Sequence, residues 1–224
     1  AAALMLNRLP RKQANKDHGT AKSVGQRSPY RDGPYLFFLL CSLLIEIPFL
    51  QYFSSIPLFW NDVHHQSEFQ IGLLLGMNGL LIFLIEMPLI KHCEDRAYNI
   101  IRVLLFSAVL IAMSFLVLNL FPGLAMLWLG MVFVTIGEML NFPFMNRFAY
   151  DRAEQGQPGA YMALFTISWS VAHIIGHTLG LNLIDHFGYE VTWYVFTGML
   201  LLAMGMLVVL KRMMETERAA AVKR

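Results

Sequence analysis

Largely apolar runs at residues 34–60, 70–90, 99–121, 124–147, 159–184 and 190–211 alternate with short polar breaks. A helix needs about 20 apolar residues at 1.5 Å each to cross a hydrocarbon layer about 30 Å thick. Each run therefore predicts one membrane-spanning helix. The breaks Asn61 to Phe69, Lys91 to Tyr98, Pro122-Gly123, Phe148 to Pro158 and Asp185 to Tyr189 are short enough to make neighbouring spans antiparallel. Pro48, Pro57, Pro88 and Pro143 fall in or near the spans, where neighbouring helices can re-satisfy the freed backbone, so they predict kinks rather than loops.

All 17 Lys and Arg fall before the first span, in or within a few residues of the second and fourth breaks, or from the last residue of the sixth span onward. Cytoplasmic segments retain basic residues, so both termini are expected in the cytoplasm. Trp60, Tyr189, Trp193 and Tyr194 lie near the opposite ends and are expected to form an aromatic belt. Composition agrees with this reading. Of 224 residues 57% are hydrophobic and 14% charged, with a net charge of +2; soluble domains carry about 25% charged residues. A basic nucleic-acid binder is excluded, and the partner expected is the lipid bilayer. Cys41 and Cys93 have no metal-ligand spacing, and no disulfide framework, cofactor or metal site is expected.

Residues 1–33 open with Ala1 to Leu6 and turn basic through Arg31. They resemble in layout the end of a preceding helix followed by a cytoplasmic linker. The chain is therefore expected to be the C-terminal portion of a longer protein, the alternative being a vector-derived or disordered N-terminus, with residues 34–212 as a six-helix bundle and 213–224 as a cytoplasmic tail.

Glu46, Glu86 and Glu138 lie within the spans. A charge at mid-membrane costs about 2.5–3.5 kcal/mol, so such groups face protein or water and serve either a functional or a structural role. Desolvation disfavours the charged carboxylate, which suits proton uptake and release. Glu46 and Glu138 lie near mid-depth and are candidate proton carriers, whereas Glu86, close to the cytoplasmic end, reads as a salt bridge or a solvated group. Thr135, Glu138 and Asn141 share one helical face. In the fifth span His173 and His177 stack one turn apart with Trp169 above them. They either hydrogen-bond neighbouring helices or line a cavity; as metal ligands they lack the glutamate of the zinc-protease helix. Gly72 with Gly76, and Gly176 with Gly180, permit close packing. Spans three and six carry no ionisable residue in their apolar cores and are expected to face lipid.

Six helices with the third and sixth peripheral, behind a basic linker, resemble the C-terminal half of a major facilitator superfamily transporter. Thr135-Ile136-Gly137-Glu138-Met139-Leu140 followed by Pro143 resembles the tenth-helix pattern of its proton-linked multidrug exporters. Gly159-Ala160-Tyr161-Met162 and Ser168-Trp169 resemble the entry and middle of their eleventh helix, and Asp95-Arg96 echoes an acidic-basic loop motif. Two places depart from the pattern: Gly176-His177-Thr178-Leu179-Gly180 stands where relatives commonly have Gly-Pro, and Gln157-Pro158 precedes Gly159 where an Arg is common.

The resemblance implies an all-α membrane protein that pairs with an N-terminal six-helix half and moves a small organic solute or drug by alternating access. Glu138 and Glu46 would then couple protons, with Trp169, His173, His177, Asn141, Asn78 and Gln51 lining the substrate cavity. The alternatives are an intramembrane enzyme, for which the chain lacks a serine elbow motif, and a channel-like or structural membrane protein.

Overall fold

The computed structural model describes residues 28–120, 123–154 and 156–222; the basic stretch before Ser28 and the last two residues lie outside them. After a 3-10 turn at Pro29–Arg31, the helices are α1 (Gly33–Leu50), α2 (Ser55–Asp62), α3 (Glu68–Asp95), α4 (Ile100–Leu120), α5 (Leu124–Ala153) and α6 (Pro158–Val222). Helix starts are encoded locally. Asp32 caps α1 by accepting from Tyr35 N at 3.2 Å, with Pro34 in the first turn, where no N–H is required. Ser67 and Gln70 form a reciprocal capping box on α3. Asn99 Oδ1 accepts from Ile101 N at 3.0 Å as α4 begins.

The first apolar run is not one straight helix. Pro48 removes a backbone donor, α1 ends at Leu50, and a 3-10 turn at Gln51–Phe53 leads into α2. Gln51 bridges the bend. Its Nε2 donates to Ile47 O at 3.0 Å and to Gly176 O on α6 at 2.9 Å, while its Oε1 accepts from Ser55 Oγ at 2.7 Å. Pro88 and Pro143, by contrast, lie inside continuous helices.

The last helix is interrupted at Gly188, whose φ of 77° and ψ of 175° are non-helical and lie where glycine alone carries little penalty. The chain doubles back there. Tyr161 and Glu217 both reach the Asp32–Arg152 pair at one end of the molecule, whereas Tyr189 OH donates to Asp62 at 2.6 Å and Asn119 donates to Glu190 O at 2.9 Å at the other. Residues 158–187 run parallel to α1, with Tyr35 on Tyr161 and Phe38 on Phe165. The contacts of α4 are with α5 and α6. Gly137 makes this approach possible, since a Cβ there would meet Ile111 Cγ1 at 2.7 Å and Ser107 O at 3.2 Å.

Within this chain α4 is deeply packed, and α3 is the largely exposed helix; α4 fills the angle between α5 and the returning limb of α6 and keeps Phe106, Val109 and Met113 exposed. Two expectations change. Trp60 and Trp193 form no belt, because both are wholly buried; Trp193 packs with Phe59, Phe115 and Phe196. Of the two small-residue pairs, Gly176 and Gly180 meet α1 and the turn after it, whereas Gly72 and Gly76 have open space beside them.

At Gly180 a Cβ would collide with Gln51 and approach Ser55 Oγ at 2.9 Å. Gly180→Ala is therefore expected to dislodge Gln51 and cost about 1–3 kcal/mol, read as a lower thermal midpoint of the detergent-solubilised protein. Gly198→Ala, with nothing within 4 Å, is expected to leave the midpoint unchanged.

Candidate functional site

Where α3 crosses α5, Asn78 Nδ2 donates one hydrogen to Thr135 Oγ1 and the other to Glu138 Oε2, both at 3.0 Å. Thr135 can accept because its own hydroxyl donates to Met131 O at 2.6 Å. Asn78 is buried and Glu138 half-buried, so the carboxylate keeps an open side while its inner oxygen is held. The polar face of α5 splits at this depth. Asn141, three residues on from Glu138, turns to α4, accepts from Ser107 Oγ at 3.1 Å and is wholly buried.

On α6, Trp169 lies against Phe142 of α5 at 4.8 Å between ring centroids and 5.8 Å from His173; Phe142 in turn meets Phe49 of α1 at 4.7 Å. His173 and His177 are exposed and continue a stripe with Thr166 and Ser170. Glu46 is wholly buried within α1, and Gln51 serves the bend already described. The predicted residues thus divide into two groups. Glu138, Trp169, His173 and His177 reach accessible surface, with Asn78 directly behind Glu138, while Glu46, Gln51 and Asn141 are sealed in helix contacts.

Asp32 and Arg152 form a buried pair that sequence spacing did not reveal. Arg152 Nε and Nη2 donate to the two Asp32 oxygens at 2.8 and 2.7 Å, a two-pronged geometry that a guanidinium and a carboxylate match well. Tyr161 OH donates to Asp32 Oδ2 at 2.8 Å, Tyr35 OH donates to Tyr161 O at 2.6 Å, and Glu217 lies 2.8 Å from Arg152 Nη2. The start of α1, the end of α5 and both limbs of α6 are tied together there. The available signal was Asp32 just before Gly33-Pro34, a helix-cap pattern, but its partner lies 120 residues away. Nearby, exposed Arg147 pairs with Glu94 at 3.0 Å. A cavity of about 390 Å³ opens at this end, lined in part by Tyr98, Ile100, Arg147, Asp151 and Met214; none of the mid-depth site residues borders it.

The Major Facilitator Superfamily model matches residues 1–177. Three similar proteins are uncharacterized MFS-type transporters of Bacillus subtilis (strain 168). YhjO is 23% identical over 82% of this chain and 45% of its own length. YqjV is 26% identical over 75% of this chain and 40% of its own. YttB is 29% identical over 52% and 30% respectively. No solved structure matches. The chain belongs to the Major Facilitator Superfamily and is an integral membrane protein, spanning less than half the length of the curated relatives it matches.

Burial by itself would raise the Asp32 carboxyl, but hydrogen bonds from Arg152 and Tyr161, with the Arg152 charge, outweigh it and hold Asp32 below its ordinary value. The stabilisation is therefore complete above the ordinary carboxylate range and is lost only as pH falls below it, through the still lower value Asp32 has in the fold. Arg152→Ala, which strands Asp32 in the interior, is expected to cost about 3–5 kcal/mol. The check is a drop in thermal midpoint that Asp32→Asn partly recovers in the double variant.

Proposed function

We propose that this chain is the C-terminal half of a proton-coupled secondary transporter, working with an N-terminal six-helix half to move a small organic solute or drug by alternating access. In this reading the chain crosses the membrane six times, with the Gly188 turn dividing α6 into two spans. Both termini then lie in the cytoplasm, at the end that carries Arg147, Arg152 and Lys211, and the membrane is the bacterial inner membrane. The exposed stripe of His173 and His177, with half-buried Trp169 beside it, faces the other half across the substrate cavity, and the exposed sides of α3 belong to the same interface or to lipid.

The observation that carries the proposal is the Asn78–Glu138 hydrogen bond. A carboxylate placed within an apolar helix, held on one oxygen and open on the other side, is suited to exchanging a proton with a water-filled cavity. Asn78 fixes its direction. Thr135 occupies the second amide hydrogen, so Asn78 cannot swing away without breaking two contacts at once. Glu46, the second candidate carrier, is wholly buried on α1. Family membership supports the transporter class.

The full-length protein in inverted membrane vesicles tests this with a panel of lipophilic dye cations as probes. Glu138→Gln is expected to abolish pH-gradient-driven accumulation at unchanged expression, and Asn78→Leu to weaken it while lowering stability by about 1–3 kcal/mol for the unmet partners. Unchanged gradient-driven flux in Glu138→Gln removes Glu138 from the mechanism.

A further inference from the structure

The buried residues that α6 turns toward α1, namely Tyr161, Phe165, Ser168, Ala172, Gly176 and Gly180, recur every three or four positions and form a single stripe. Tyr161 and Phe165 meet Tyr35 and Phe38, while Gly176 and Gly180 meet Ile47 and Gln51. Ser168 and Ala172, between them on the same stripe, lie on the side that faces α1. On α1, Ser42 and Glu46 are one turn apart and wholly buried; they fall between Phe38 and Ile47, as Ser168 and Ala172 fall between their partners Phe165 and Gly176.

Ser42 Oγ, both carboxylate oxygens of Glu46 and Ser168 Oγ are shielded from solvent and have no hydrogen-bond partner among the described residues. Leaving such groups unmet costs about 1–3 kcal/mol each, and proteins usually meet them with a buried water that makes about three hydrogen bonds. A bare charged carboxylate would cost far more without a cation beside it. Neither stripe offers one: between residues 35 and 51, and between 161 and 180, there is no Lys, Arg or Asp and no second Glu. The other ionisable groups nearby point elsewhere or are neutral thiols. His173 and His177 are on the exposed side of α6, Glu138 of α5 is bound to Asn78, and Cys41 is buried beside Ser42.

We propose that Glu46 sits in this seam as a carboxylic acid bridged by an ordered water to Ser42 and Ser168. The water accepts from the acid O–H and donates to the two serine oxygens, which makes Ser42 and Ser168 positioning residues for the proton on Glu46. The proposal rests on the reading of Glu46 as a proton carrier and extends it: α1 and α6 form a hydrated proton-holding contact separate from the one between α3 and α5.

Infrared spectroscopy of the full-length protein in lipid tests it, with the carboxylic-acid C=O band of Glu46 identified by its loss in Glu46→Gln. The expected result is a band at the hydrogen-bonded position that moves to higher frequency in Ser42→Ala/Ser168→Ala and returns when Ser42→Thr replaces Ser42→Ala. The single alanine variants, each removing one oxygen, give the same reading should the double variant not assemble. A Glu46 band that none of these variants moves, or no acid band traceable to Glu46, overturns the proposal. Gradient-driven dye flux in Glu46→Gln separates the two ideas: a band that shifts as expected while this variant still couples would retain the bridged acid and remove Glu46 as carrier.

Discussion

Hydrocarbon offers no hydrogen bonds, so each polar side chain that enters the membrane has to be met by another part of the protein. That constraint organises the helix contacts. Gln51 spans the bend after Pro48 and joins α1 to α6 through the Gly176 carbonyl. Asn78 joins α3 to α5, and Ser107 with Asn141 joins α4 to α5. Each contact between these pairs is mostly apolar and tolerant of sliding, but one amide or hydroxyl in it sets the register. At the basic end the same rule takes its ionic form, in which Arg152 and Asp32 hold three helices where their ends emerge.

The two acidic residues at mid-depth differ in how they answer the constraint. Glu138 is met by protein on one side and left accessible on the other, and Glu46 is enclosed without a donor among the described residues. A helix pair that must both bind and release a proton needs such incompletely satisfied positions; a fully satisfied carboxylate would be a structural fixture, as Asp32 is. On the proposed reading, this difference in partners separates the candidate proton-exchanging groups from those that hold the bundle together.

Much of the architecture was legible in the sequence, because a run of about 20 apolar residues has few alternatives to a spanning helix. The polar break at Asp185 to Tyr189 marked the turn that the structure makes at Gly188. The basic residues in the breaks gather at one end, as their alternation required. Pairing was harder to read. Thr135, Glu138 and Asn141 share a face by spacing, yet Asn78 claims the first two and Ser107 the third, since neighbouring helices approach that face from different sides. Trp60 and Trp193 looked like interfacial aromatics because depth is visible in sequence and lateral packing is not. Arg152 read as one more loop charge, and only the fold brings Asp32 to it.

The central claim is that the exposed side of α6 bordering Trp169 lines a water-filled cavity between two halves. It is tested most directly by replacing His173 with cysteine in full-length protein whose Cys41 and Cys93 have been changed to serine. The account predicts that a membrane-impermeant maleimide labels His173→Cys in intact membranes and that labelling responds to the direction of the pH gradient. Labelling only by lipid-soluble reagents, indifferent to the gradient, would place this face against lipid and contradict it.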